Sequence, residues 1–183
     1  MIYDISLQNA AIAAGVFLLL VGIPGVVMPK ATAEWMKKLP RSFVLGAILL
    51  TIAFAWSMWL LLTMEMGEFS SFRKPLLIAL PIGYGLVLRF VNEFLAVRAL
   101  GMLCLLAAEP LLESAFLRYE PSRLLVTVFA YILIVKGLFW VTMPYLLRDK
   151  INWAGRSVAR WVSLHGLAVI YGAVLLVFAF TRY

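Results

Sequence analysis

The stretch AAIAAGVFLLLVGIPGVVMP, Ala10 to Pro29, holds twenty residues and no charge. An α-helix rises about 1.5 Å per residue, so about 20 apolar residues cross a hydrocarbon core. The run is continuous rather than alternating. A lipid-facing backbone can satisfy its polar groups only within a helix or a closed barrel, and barrel strands alternate. The stretch therefore reads as a membrane-spanning helix.

Five more runs repeat the pattern at 42–64, 75–94, 99–117, 124–147 and 161–181. The third holds an uncharged core of only 14 residues, Pro75 to Leu88, and is extended through Arg89 to Phe94 to reach spanning length. The expectation is an all-α, polytopic membrane bundle of six helices, forming one transmembrane domain over 1–183. Composition agrees. The chain of 183 residues is 64% hydrophobic and 14% charged, with a mean hydropathy of +1.00. Soluble domains are closer to half apolar and a quarter charged. Met1 to Asn9 carries Asp4 and neither Lys nor Arg. A secretory leader opens with positive charge, so the first run is expected to be retained.

The net charge is +7, and its distribution gives a sidedness. Ten basic residues fall on one side of the bundle: Lys30, Lys37, Lys38, Arg41, Arg89, Arg98, Arg148, Lys150, Arg156 and Arg160. Five fall on the other: Arg73, Lys74, Arg118, Arg123 and Arg182. The positive-inside rule places both termini on the non-cytoplasmic side, in what is expected to be a bacterial inner membrane. Trp35, Trp153 and Trp161 are expected at the cytoplasmic boundary. No soluble recognition element accompanies the charge, so nucleic acid is not an expected partner.

Two segments resemble each other within the chain. Phe17 to Pro29 reads FLLLVGIPGVVMP, and Ile132 to Pro144 reads ILIVKGLFWVTMP. Gly22 aligns with Gly137, and Met28-Pro29 with Met143-Pro144. A basic, Trp-containing connector and a second helix follow each. This is the pattern of a parallel helical-hairpin repeat, with the middle pair a diverged third copy. Pairs of small residues four apart, Ala10 with Ala14 and Ala168 with Gly172, are candidates for close helix contact.

Within the spans the charges are the informative residues. Glu109, Glu113 and Lys136 interrupt the apolar pattern, and a buried charge is costly unless paired. Counted from Arg98 and Arg148, Glu109 and Lys136 lie about 16 and 18 Å deep, hence level. The expectation is an intramembrane cluster in which Lys136 pairs with one or both carboxylates. It would either fix helix packing, form part of an ion or substrate path, or meet a partner subunit. Arg89, Asn92, Glu93 and Arg98 form a second cluster. Arg89 and Glu93 can pair at i, i+4, and the set suits an interface or an anionic lipid headgroup. His165 is a packing histidine or, as the alternative, an axial ligand to haem or chlorophyll.

No P-loop, H-E-x-x-H or G-x-S-x-G is present, and the lone Cys104 makes no metal cluster. An enzyme is not expected, nor a metal site or resident cofactor. Bound lipid and other membrane subunits, or copies of the chain itself, are the expected partners. Two functions fit: a non-catalytic accessory or scaffolding subunit of a respiratory or photosynthetic type of complex, or a small oligomeric transporter or channel using the Glu/Lys site.

Overall fold

The computed structural model describes Tyr3 and residues 5–91 and 93–182. Asp4 and Asn92, singled out above, lie outside the described residues. Among those described, six helices are long and apolar enough to cross a membrane. The spans are α1 (Leu7–Val27), α3 (Phe43–Thr63), α4 (Arg73–Phe90), α5 (Leu95–Ala115), α6 (Arg123–Thr142) and α8 (Val158–Thr181). Short helices α2 (Pro29–Lys38) and α7 (Tyr145–Ala154) occupy two connectors. The chain is an all-α membrane bundle.

Local chemistry sets the helix ends. Ser6 caps α1 and Ser42 caps α3, each hydroxyl accepting the N–H of the residue three further on. Pro29 sits in the first turn of α2, where its missing N–H costs nothing. Most span boundaries shift by one to five residues from the sequence reading, and two of the shifts matter for the charged residues. Span 124–147 stops at Thr142, because Met143 turns the chain and Pro144 starts α7. Leu146 and Leu147 extend the apolar run but belong to α7, where Leu147 is buried. Span 75–94 stops at Phe90, and Phe94 takes a left-handed conformation (φ 57°) before α5.

The hairpin pattern is visible in the backbone. Gly22, Gly85 and Gly137 each stand six residues before a turning residue. Those residues are Met28 (φ −127°, ψ 63°), Val91 (φ −106°, ψ 72°) and Met143 (φ −125°, ψ 67°). Each donates its N–H four residues back, to Pro24, Val87 and Phe139. The first helices of all three hairpins therefore end in one kind of turn. Ten-residue helices follow two of them, α2 and α7, and these pack together at the basic end around Ala33, Leu147, Ile151, Ala154 and Trp161.

The main seams join hairpins to one another. α1 packs on α8, α4 on α3 and α6 on α5, so each first helix meets a second helix of another hairpin. α5 also packs on α3 and is the most enclosed span. Small residues set the approach. Gly15 and Gly172 oppose each other between α1 and α8, and Gly101 and Gly137 between α6 and α5. With lipid as solvent there is little hydrophobic gain in helix association, so close backbone packing supplies the attraction. Ala10, Ala14 and Gly172 are buried as their spacing implied, while Ala168 is half-buried.

Trp161 departs from the boundary role expected of it. It is 3% exposed, and its Nε1 donates to Thr32 Oγ1 at 3.1 Å, tying α8 to α2. Trp35 and Trp153 are exposed at that end, with the Arg160 guanidinium 5.0 Å from the Trp153 ring centre.

Candidate functional site

Helix α5 carries Arg98, Glu109 and Glu113, half of the charges that the sequence marks, and its geometry separates them from Lys136. Gly101 of α5 lies against Gly137 of α6, which fixes their relative height. Glu109 is two turns beyond Gly101, and Lys136 is adjacent to Gly137. The two charges are thus offset by about 10 Å along the helices. Among the described residues no ion pair joins Lys136 to Glu109 or Glu113; Arg148–Asp149 is the pair formed, at 2.9 Å. The expected three-charge cluster does not assemble as such. The cause is the turn at Met143, which puts Arg148 on α7 and makes it a false origin for measuring the depth of Lys136. Counted from Thr142, Lys136 is only about 9 Å from the basic end of its helix. It is exposed, with Cys104 and Lys150 as its electrostatic neighbours. A lysine at that depth reaches the interface by extending its stem.

The carboxylates belong to the opposite end. Glu113 is half-buried and accepts the Tyr3 N–H at 3.4 Å. Trp56 Nε1 of α3 donates to the Tyr3 hydroxyl at 2.7 Å, and the Trp59 ring lies 5.5 Å from the Tyr3 ring. Tyr3 is therefore clasped between α3 and α5, with Glu109 in its electrostatic field. Glu109 itself is exposed and, among the described residues, makes no hydrogen bond or ion pair. Sequence reading missed the Tyr3 clasp because no pattern links residue 3 to residue 113.

The second cluster is also reshaped. Arg89 ends α4, while Glu93 lies in the turn before α5, so the i, i+4 pairing has no helix to support it. Arg98 sits in the first turn of α5, and its Nε is enclosed, with no hydrogen-bond partner among the described residues. Arg98, Met102, Leu105 and Glu109 follow at i, i+4, i+7 and i+11, a single helix face with a cation near one end and a carboxylate near the other.

His165 fills the α1–α8 seam. Its ring stacks on Trp161 with centres 4.6 Å apart, and Nδ1 lies 2.9 Å from the Trp161 carbonyl oxygen. A Cβ on Gly25 would come within 2.1 Å of this ring. The imidazole is held flat against α1 on one side, an arrangement that accounts for Gly25.

One feature had no sequence signal. A groove of about 430 Å³ lies where α3, α4 and α5 meet, lined by Leu50 and Phe54, Gly83 and Tyr84, and Met102 and Leu106 among others. Phe54 and Tyr84 stack in its wall at 4.6 Å. Thr51 donates to the Ala47 carbonyl at 2.8 Å, so the 2.8 Å contact with Tyr84 is donated by the tyrosine. Both hydroxyls are thereby satisfied within the protein, and the groove presents an almost wholly apolar surface. A separate, shallow cleft of about 450 Å³ at the basic end is lined by Glu34, Lys37, Lys38, Arg41 and Ser42.

No family model, no curated protein and no solved structure matches the chain.

Proposed function

We propose that the protein is a non-catalytic accessory or scaffolding subunit of a larger membrane complex, of the respiratory or photosynthetic kind. The observation that supports this reading is the state of α4. None of its residues is buried, and an added Cβ on Gly85 would meet nothing within 4 Å. Glycine inside a helix costs about 1 kcal/mol relative to alanine, and Pro81 removes a backbone hydrogen bond. The other helical glycines in the spans, Gly83 and Gly166 apart, are matched to a neighbour that needs them. On α4 the matching neighbour lies outside the chain. Ile78, Ile82, Gly85 and Arg89 share the face turned away from the groove, and a partner helix seated there would use the space that glycine leaves.

A second reading, a small oligomeric transporter or channel, is favoured by Glu109. An exposed carboxylate two turns inside a span calls for water or another polypeptide beside it. The Glu/Lys site first expected for that function is replaced by the carboxylates alone. Both readings place the basic end in the cytoplasm of a bacterial inner membrane, with both termini outside.

The test is a photocrosslinking residue at Ile82 in the native membrane, with gentle-detergent purification of what it captures. The expected product is an adduct with a different membrane polypeptide. Capture of the chain's own copies alone, in a homo-oligomer, would favour the transporter; no adduct of either kind would remove both readings of this face.

A further inference from the structure

Two seams of the bundle close on matching contacts, and a third stays open. In the α1–α8 seam, a Cβ on Gly22 would stand 3.1 Å from the His165 carbonyl oxygen and 2.7 Å from the Val169 side chain. In the α6–α5 seam, a Cβ on Gly137 would stand 2.9 Å from the Gly101 carbonyl oxygen and 2.8 Å from the Leu105 side chain. The contacts match: a carbonyl, and a side chain four residues on. In the α4–α3 seam Gly83, which lines the groove, meets nothing within 4 Å, and the two helices stand apart there.

The open seam has a definite shape and chemistry. It follows α3 from Leu50 to Ser57 and α4 from Leu80 to Val87, about 10 Å along both helices. Its long axis therefore runs as the acyl chains of a bilayer run. Its walls are apolar, and the Tyr84 and Thr51 hydroxyls are occupied by one another. At its basic end the polarity changes. Arg98, half-buried, lies one turn beyond Met102 on the same face of α5. A phosphate is the anion a guanidinium engages most strongly, through charge-assisted hydrogen bonds.

We propose that this groove holds one acyl chain of an anionic phospholipid, with the lipid phosphate at Arg98. Glu93, in the turn before α5, stands on the headgroup side and disfavours a second negative charge there. The site is independent of the partner face proposed above, because Gly83 lines the groove while Gly85 turns away from it.

The test is native mass spectrometry of the purified full chain, stripped of lipid and titrated with phosphatidylglycerol or phosphatidylcholine of the same acyl chains. One phosphatidylglycerol is expected to bind, in preference to phosphatidylcholine. Gly83→Leu puts a side chain into the groove, at a position where a Cβ meets nothing within 4 Å, and should weaken both lipids by about tenfold or more. Leu80→Phe, a second groove-filling change, should act in the same direction and covers a failure of the first to fold. Arg98→Gln should abolish the headgroup preference and keep chain binding. Groove-filled variants that fold and retain phosphatidylglycerol as the wild type does would overturn the site. So would an unchanged preference in Arg98→Gln, displacement of the lipid by inorganic phosphate alone, or a lipid-free dimer that Gly83→Leu dissolves.

Discussion

Gly101 of α5 and Gly137 of α6 face each other so closely that a Cβ on either would stand 2.9 Å from the other's carbonyl oxygen. The neighbour on each side is backbone, which cannot move aside. Gly137→Val is therefore expected to destabilise the bundle by about 1–3 kcal/mol, the usual range for overpacking. Thermal unfolding in detergent reads this directly. Gly85→Ala, with open space around it, is expected to be neutral or to raise the melting temperature of the isolated chain. Equal losses in both variants would contradict the difference in packing.

Gly25 and His165 form a coupled pair across the α1–α8 seam. Gly25→Ala alone drives a methyl group into the imidazole and should lower stability. His165→Ala vacates that space, so the double variant should recover part of the loss. The double-mutant cycle should give a coupling of about 0.5–3 kcal/mol. Additive effects would mean that the ring does not occupy the seam.

Tyr3 offers a pH signature outside the spans. Burial raises the pKa of its phenol, the Trp56 hydrogen bond opposes the rise, and the negative fields of Glu109 and Glu113 add to it. A group whose pKa is raised on folding stabilises fully below its unfolded value, about 10 for tyrosine. That contribution is lost as pH climbs through the folded value. The tyrosinate absorbance difference between wild type and Tyr3→Phe should thus appear above the ordinary range. Trp56→Phe removes the indole donor that opposes the rise, and should also loosen the segment before α1, read by faster amide exchange there. A Tyr3 titration at the unperturbed value would refute the clasp.

The six spans and the basic side were legible because lipid imposes a crude requirement, an uninterrupted apolar length, which composition alone satisfies. Depth within a span was not. Leu146 and Leu147 continue the apolar run of α6, so nothing in the pattern reveals that Met143 has turned the chain. That displaced the origin for Lys136 and paired it, on paper, with Glu109. The Arg89–Glu93 pairing failed for a related reason: a run too short to span was lengthened through residues that form a turn. The groove escaped notice altogether, since it arises from helices standing apart.

Lys136 now reads as a charge that reaches the interface rather than one held by a carboxylate. Lys136→Met is expected to keep or raise the yield of folded protein, because it removes a charge from the apolar region. Glu113→Gln should instead release the Tyr3 segment. Collapse of Lys136→Met, with rescue by a neutral residue at Glu109, would restore the ion pair.

Sidedness can be read with a membrane-impermeant thiol reagent on intact cells, in a Cys104→Ala background. Glu68→Cys and Arg118→Cys should label, and Lys38→Cys and Arg156→Cys should not. The inverse pattern would put the basic end outside.

The α1–α8 seam has a consequence for biosynthesis. Gly15 and Gly172, which meet in it, are separated by 157 residues of chain. At about 5–20 residues per second, α1 leaves the ribosome roughly 8 to 30 seconds before its partner exists. Throughout that interval its glycine face is bare, and every intermediate with fewer than six helices lacks the contact that joins the two ends. Quality control in the membrane can thus recognise an unfinished copy by an uncovered first helix, and truncations near the C-terminus should be degraded as if the N-terminus were defective.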